Sequence, residues 1–176
     1  MNITRLLRNA LTICALFAGL MHTAKADFHI ERGDTTGLAT LDVGAIYIDA
    51  GNAVPYDQLT FTVSAGGTYQ FLAMADFDSA IFLYAGEFDA ASPTTNLIRH
   101  NNDIFSPDTS GFVSNLFPGL SYTLVVTGLE DDEFGKYSLT IGGPGSVAPV
   151  PEPSTWMMLA LGLAAIAHAR QRAARR

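Results

Sequence analysis

Residues 27–141 are expected to form an all-β sandwich or barrel, on three observations. Short β-rich runs recur at roughly regular spacing, Gly, Pro, Asn and Asp separate them, and neither heptads nor any long stretch of 3.6-residue periodicity interrupts them. The runs are Ala45–Asp49, Leu59–Ser64, Thr68–Ala73, Ser79–Tyr84, Asn96–His100, Gly111–Leu116, Ser121–Thr127 and Lys136–Ile141. In Tyr122–Val126 and Tyr137–Ile141 aromatic and aliphatic side chains alternate with hydroxyls and smaller groups, the pattern of a strand with one buried face. Ala65-Gly66-Gly67-Thr68 predicts a tight hairpin, because Gly-Gly supplies the positive φ of a primed turn. Phe117-Pro118-Gly119-Leu120 predicts a turn with proline preset at its second position. Glu130-Asp131-Asp132-Glu133 lies in a hairpin before Lys136.

The 176 residues leave room for one such domain and little more, and they carry 17 acidic against 10 basic side chains, a formal charge of −7. The imbalance is concentrated in the middle. Between Asp27 and Pro149 there are 16 acidic side chains and only Arg32, Arg99 and Lys136 to oppose them. Such a body lacks the basic stripe that binding DNA or RNA requires, so no nucleic-acid partner is expected. With 48% hydrophobic and 15% charged residues the chain can still build a core.

Residues 1–26 have the three parts of a secretory signal peptide: Arg5 and Arg8, an apolar run from Ala10 to Met21, then Ala24-Lys25-Ala26. A signal peptidase accepts small side chains such as Ala24 and Ala26 before the bond it cuts, which makes Asp27 the expected first residue of the exported chain. A charged, turn-prone stretch follows at once. The lone cysteine, Cys14, leaves with the signal, so the exported chain can have no disulfide and no thiolate ligand.

Residues 142–149 are expected to be a flexible Gly/Pro linker, and the segment from Val150 has three parts of its own. Val150-Pro151-Glu152-Pro153-Ser154-Thr155 is held extended by proline, an apolar run extends from Trp156 to Ala167, and Arg170, Arg172, Arg175 and Arg176 close the chain. Arginines of this kind form a cytoplasmic stop, and Trp156 suits the opposite interface. The 12 apolar residues would span only ~18 Å as helix, against a hydrocarbon core of ~30 Å. The proline-rich lead and the terminal arginines nonetheless have no use on a buried core helix.

Motif, apolar run and arginines together closely resemble the PEP-CTERM sorting signal of Gram-negative bacteria. The resemblance implies that Pro151, Glu152 and Pro153 are read by an exosortase, an integral membrane transpeptidase, in a protein often associated with extracellular polysaccharide. Part of the body is similar to a second family. Leu59-Thr-Phe-Thr-Val63, Gly67-Thr-Tyr-Gln-Phe71, Asp78-Ser-Ala-Ile-Phe-Leu-Tyr84, Asn101-Asn-Asp103, Leu116-Phe-Pro-Gly-Leu-Ser-Tyr-Thr-Leu124 and Gly135-Lys-Tyr-Ser-Leu139 resemble a bacterial prepeptidase C-terminal domain. That resemblance implies a jelly-roll-like β-sandwich of about eight strands without catalysis of its own. Many members have paired aspartates where this chain has Asn101 and Asn102, which would weaken any calcium held there.

Cofactors are not expected, apart from Ca²⁺ at loop tips, where Asp76, Asp78, Asp103 and Asp108 could converge as hard oxygen ligands. Their spacing matches no EF-hand or repeat calcium loop. His29 and His100 are the only histidines of the exported body, and neither stands in a metalloprotease or nucleophile-elbow motif. The six tyrosines fall in or next to strands, where a buried ring with a hydrogen-bonded hydroxyl is the default and a carbohydrate-stacking face the alternative. The expected protein is therefore non-enzymatic. It passes through the inner membrane to the cell surface or an extracellular matrix, is associated with exopolysaccharide or biofilm, and is processed by an exosortase. The alternative is a carbohydrate-binding or calcium-dependent adhesive module that stays membrane-tethered in the periplasm.

Overall fold

The computed structural model describes residues 26–150 and six positions of the C-terminal tail, 161–163, 166, 168 and 170. Ten strands form: β1 Asp27–Asp34, β2 Thr40–Leu41, β3 Val54–Val63, β4 Gly67–Ala75, β5 Ser79–Ala85, β6 Leu97–Asn101, β7 Thr109–Leu116, β8 Ser121–Gly128, β9 Lys136–Gly143 and β10 Val147–Pro149. They make two antiparallel sheets. One has the order β1-β9-β4-β7; the other has β10-β3-β8-β5-β6, with β2 paired to the first residues of β3. The sandwich expected from the sequence is what forms, with ten strands where about eight were expected.

Strand alternation explains the main core. Tyr69, Phe71 and Ala73 of β4, Leu139 and Ile141 of β9, and Leu116 of β7 point inward from one sheet, and Phe61, Ile81, Leu83, Leu124 and Val126 meet them from the other. Each of these side chains is at most 2% exposed. A buried Val, Leu, Ile or Phe side chain contributes roughly 1.5–3 kcal/mol, so this layer is the main source of stability in a body without disulfides.

A second core lies outside the sandwich. Phe82, Tyr84 and Val125 point to the outer face of the larger sheet and pack with Leu41, Val43 and Val54, beneath the segments between β2 and β3 and between β5 and β6. Every residue from Tyr122 to Gly128 in β8 is buried, so the half-solvated alternation expected there does not hold. The hydroxyls on the outer side are matched individually: Thr123 donates to Gly86 O at 2.7 Å and Thr127 to Pro55 O at 2.9 Å. The outer face of the smaller sheet has no such cover apart from Ile104, which lies over Gly111.

Several expectations need correction. The charged stretch after Ala26 is an eight-residue edge strand on β9, with Phe28 and Ile30 exposed on its outer side. Ala45–Asp49 is no strand: a 3₁₀ turn, Val43–Ala45, is capped by Asp42, whose Oδ1 accepts from Ala45 N–H at 3.2 Å, and Asp49 has φ 70°. Ala65–Thr68 is no hairpin, because β3 and β4 belong to different sheets and only Gly67 of its glycines has positive φ. The acidic run 130–133 likewise joins β8 to β9 across the sandwich. From β3 onward only the β5–β6 connection stays within one sheet. Gly119, at φ 82°, does form the expected turn between β7 and β8.

The segment 142–149 is also ordered differently from a flexible linker. Gly142 and Gly143 end β9, and Val147–Pro149 form β10 on the edge of β3, with Val147 opposite Val63. Among the described residues no helix is long and apolar enough to cross a membrane; the six described tail positions are helical and exposed.

Candidate functional site

The body hands over to its C-terminal tail at a fastened corner. Ser64 N–H donates to Ser146 O at 3.0 Å, Ser146 N–H returns to Ser64 Oγ at 2.8 Å, and Tyr69 OH reaches Ala65 O at 2.8 Å. Beyond β10, Val150 N–H donates to Thr60 O at 2.8 Å. The Pro-Glu-Pro segment thus begins one residue after the last hydrogen bond to the sheet among the described residues. Pro151, Glu152, Pro153, Ala24, Arg172, Arg175 and Arg176 lie outside the described residues. Ala26 is exposed beside β1, and Arg170 is helical and exposed.

The candidate calcium ligands do different jobs from one another. Asp108 accepts from Ser106 Oγ, and its carbonyl accepts from Ala75 N–H at 2.9 Å. Asp103 O accepts from Asn101 Nδ2 at 3.0 Å, while Asn101 Oδ1 takes Gly111 N–H at 3.0 Å, so this amide ties β6 to β7. Asp76 N–H donates to Lys136 O at 3.1 Å. Asp78 stands at the mouth of β5 with a buried Oδ1 that has no hydrogen-bond partner. Burial, and then the charges of Glu133, Asp103 and Glu130, push its carboxyl up to about 6. Glu133 is engaged elsewhere, its Oε2 accepting from Leu129 and Glu130 N–H at 3.2 and 3.1 Å. Among the described residues no three carboxylates or histidines converge where a metal ion could be held.

Polar side chains elsewhere hold structure together. His100 Nδ1 lies 2.9 Å from Tyr47 OH, and burial followed by the charge of Asp103 pushes that phenol up to about 12. His29 pairs with Glu31 at 3.4 Å. Ser79 and Ser110 share a buried hydroxyl contact at 2.6 Å, and Ser110 also donates to Ser79 O, leaving neither poised as a nucleophile. Tyr84 OH donates to Pro93 O, Tyr137 OH to Asp57, and Tyr122 OH accepts from Phe117 N–H. Five of the six tyrosines therefore staple the fold through their hydroxyls, Tyr56 packs edge-on against Phe88 at 5.2 Å, and none is fully exposed to form a stacking row. The aromatic ring presented on a sheet face is Phe28, 66% exposed, lying over Gly142, where any side chain would collide with it. It borders an open groove of about 470 Å³ lined also by Gly67, Thr68, Gln70 and Pro144. Sequence reasoning missed this feature, though the Phe28, Ile30, Arg32 alternation was its signal.

Residues 149–176 match the family described as the PEP-CTERM protein-sorting motif. Such a motif implies an exosortase as processing partner, with export, membrane-anchored sorting and then the cell surface. No curated protein matches the chain. Among solved structures, the pre-peptidase C-terminal domain of a collagenase from Bacillus anthracis is similar at 16% identity and a TM-score of 0.43, over 64% of this chain and 87% of that one. The Yersinia pseudotuberculosis-derived mitogen is similar at 15% identity and a TM-score of 0.41, over 74% and 93%. A cleaved adhesin domain of Lys-gingipain from Porphyromonas gingivalis is similar at 15% identity and a TM-score of 0.37, over 74% and 94%.

Proposed function

We propose that the chain is a non-enzymatic exported protein of the cell surface or extracellular matrix, cut from its tail by an exosortase and embedded among exopolysaccharide. In this reading residues 1–26 are removed at Ala26, residues 27–150 are the delivered body, and Arg170, Arg172, Arg175 and Arg176 hold the tail in the inner membrane until Pro151-Glu152-Pro153 has been read. The observation that carries it is the sorting motif at 149–176. Its position directly after β10 adds a constraint: the enzyme meets its motif at the edge of a folded sheet, with no free linker between them.

The test is intact mass and fractionation in the native host, for wild type and for a variant with Pro151, Glu152 and Pro153 changed to alanine. Loss of the tail and release from the inner membrane in wild type alone is the expected result. A wild-type chain that keeps residues 27–176 in the membrane would overturn it and leave a plain anchor with a periplasmic domain.

A further inference from the structure

The uncovered face of the smaller sheet carries Phe28 and Ile30 on β1, Leu72 and Met74 on β4, and Val113 on β7, all turned away from the core. Four of these five are more than half exposed, and beyond Lys136 the outward positions of the intervening β9 are the small or hydroxyl residues Ser138, Thr140 and Gly142, so no bulky side chain of β9 separates them. Its charge is the reverse of the body's. Of the three basic side chains between Asp27 and Pro149, two, Arg32 and Lys136, belong to this face. Of the 16 acidic ones, only Asp34 occupies an outward strand position here, next to Lys136.

We propose that this face rests on the anionic phospholipid surface of the membrane that holds the tail. The proposal builds on the tail reading above. Apolar side chains beside basic ones, on a body otherwise acidic, match a negatively charged headgroup layer. The chain beyond the structure supplies the proximity. Val150 is bonded to the sheet and the apolar run starts at Trp156, and six residues reach no further than ~22 Å even when fully extended. A tethered body is therefore always within contact range of the bilayer, and some face must turn toward it. The exit point lies close to this face: β10, bonded to β3, also touches β1, the edge strand that bears Phe28, Ile30 and Arg32. Lying on this face would hold the junction after β10 at the membrane surface, where an integral membrane enzyme acts, and the weak contact would let the body leave once the tail is cut.

The experiment uses the chain from Asp27 to Arg176 in phosphatidylglycerol/phosphatidylcholine vesicles. Its only cysteine, Met74→Cys on the bare face or Ile48→Cys on the covered side, carries a polarity-sensitive dye. The expected result is a several-fold drop in iodide quenching at position 74, none at 48, and a loss of that protection by roughly fivefold per cation in Arg32→Glu and Lys136→Glu. Equal quenching at both positions, in a chain that alkali fails to extract, would overturn the proposal and leave the tail reading intact. Extraction by alkali would overturn the tail reading and the proposal together. Shielding of position 74 by soluble exopolysaccharide and not by vesicles would assign the face to glycan and overturn it as well.

Discussion

On the larger sheet Phe82, Tyr84 and Val125 point outward and are sealed beneath the segments around Val43–Ala50 and Phe88–Ala90, whereas on the smaller sheet Phe28, Ile30 and Met74 point outward and are more than half exposed. Strand chemistry alone does not separate these two faces, since both carry aromatic and aliphatic side chains at alternate positions. Connections do. The β2–β3 and β5–β6 segments both fold over the larger sheet, and Leu129 after β8 joins them, while the connections that run between the sheets leave the smaller sheet's outer face bare apart from Ile104 over Gly111. The apolar positions of the covered face are thereby structural, and those of the bare face are free to meet something outside the chain.

The widest separation of the two faces should come from aromatic truncation. Phe82→Ala removes a fully buried ring and should cost about 3–5 kcal/mol, read as a fall in denaturant midpoint, whereas Phe28→Ala should stay within about 0.5 kcal/mol. Equal costs would break the comparison, because Phe28 would then be a packing residue. A smaller effect is expected from Thr127→Val, which leaves Pro55 O without its 2.9 Å donor under the cover and should cost about 1–3 kcal/mol; Thr140→Val on the bare face should be close to neutral.

The smallest effect probes the end of the sandwich where the carboxylates gather. Asp78 has a folded-state pKa of about 6, above the ordinary carboxylate value, so the folded chain binds the extra proton. Its contribution therefore favours folding at low pH and is lost as pH rises from about 4 through 6. Asp78→Asn should raise Tm slightly at pH 7 to 8 and flatten the dependence across that window, as measured by thermal unfolding at several pH values. An unchanged profile would mean that Asp78 is as solvated as an ordinary surface carboxylate. Added Ca²⁺ should leave Tm unshifted in the wild type, since among the described residues no three carboxylates or histidines come close enough to hold a metal ion; a rise would restore the calcium reading.

Most strands were legible because alternation is local: Thr68–Ala73, Ser79–Tyr84, Gly111–Leu116 and Lys136–Ile141 fall inside β4, β5, β7 and β9. β1 was not, because Glu31, Arg32 and Asp34 dilute its apolar positions and those positions face solvent, the reverse of the pattern a half-buried strand shows. β10 was hidden by Pro149, which is tolerated there because an edge strand need not donate on its open side. Ala45–Asp49 misled in the opposite sense: Tyr47 is apolar enough for a strand, but it packs as part of a cover, against Phe82 and His100.

By itself the sequence determined the sorting motif, the absence of cysteine after Cys14, the acidic body and the existence of most strands, all of which are properties of composition or of neighbours within a few residues. The tertiary structure decided which sheet each strand joins, that Gly66-Gly67 crosses between layers, and that residues 142–149 belong to the body. It also decided that one outer face is sealed and the other bare. Those outcomes depend on contacts between residues far apart in the chain, such as Asp27 with Gly143 and Val63 with Val147, which two-residue periodicity cannot encode because it fixes the side a residue faces and not the partner it meets.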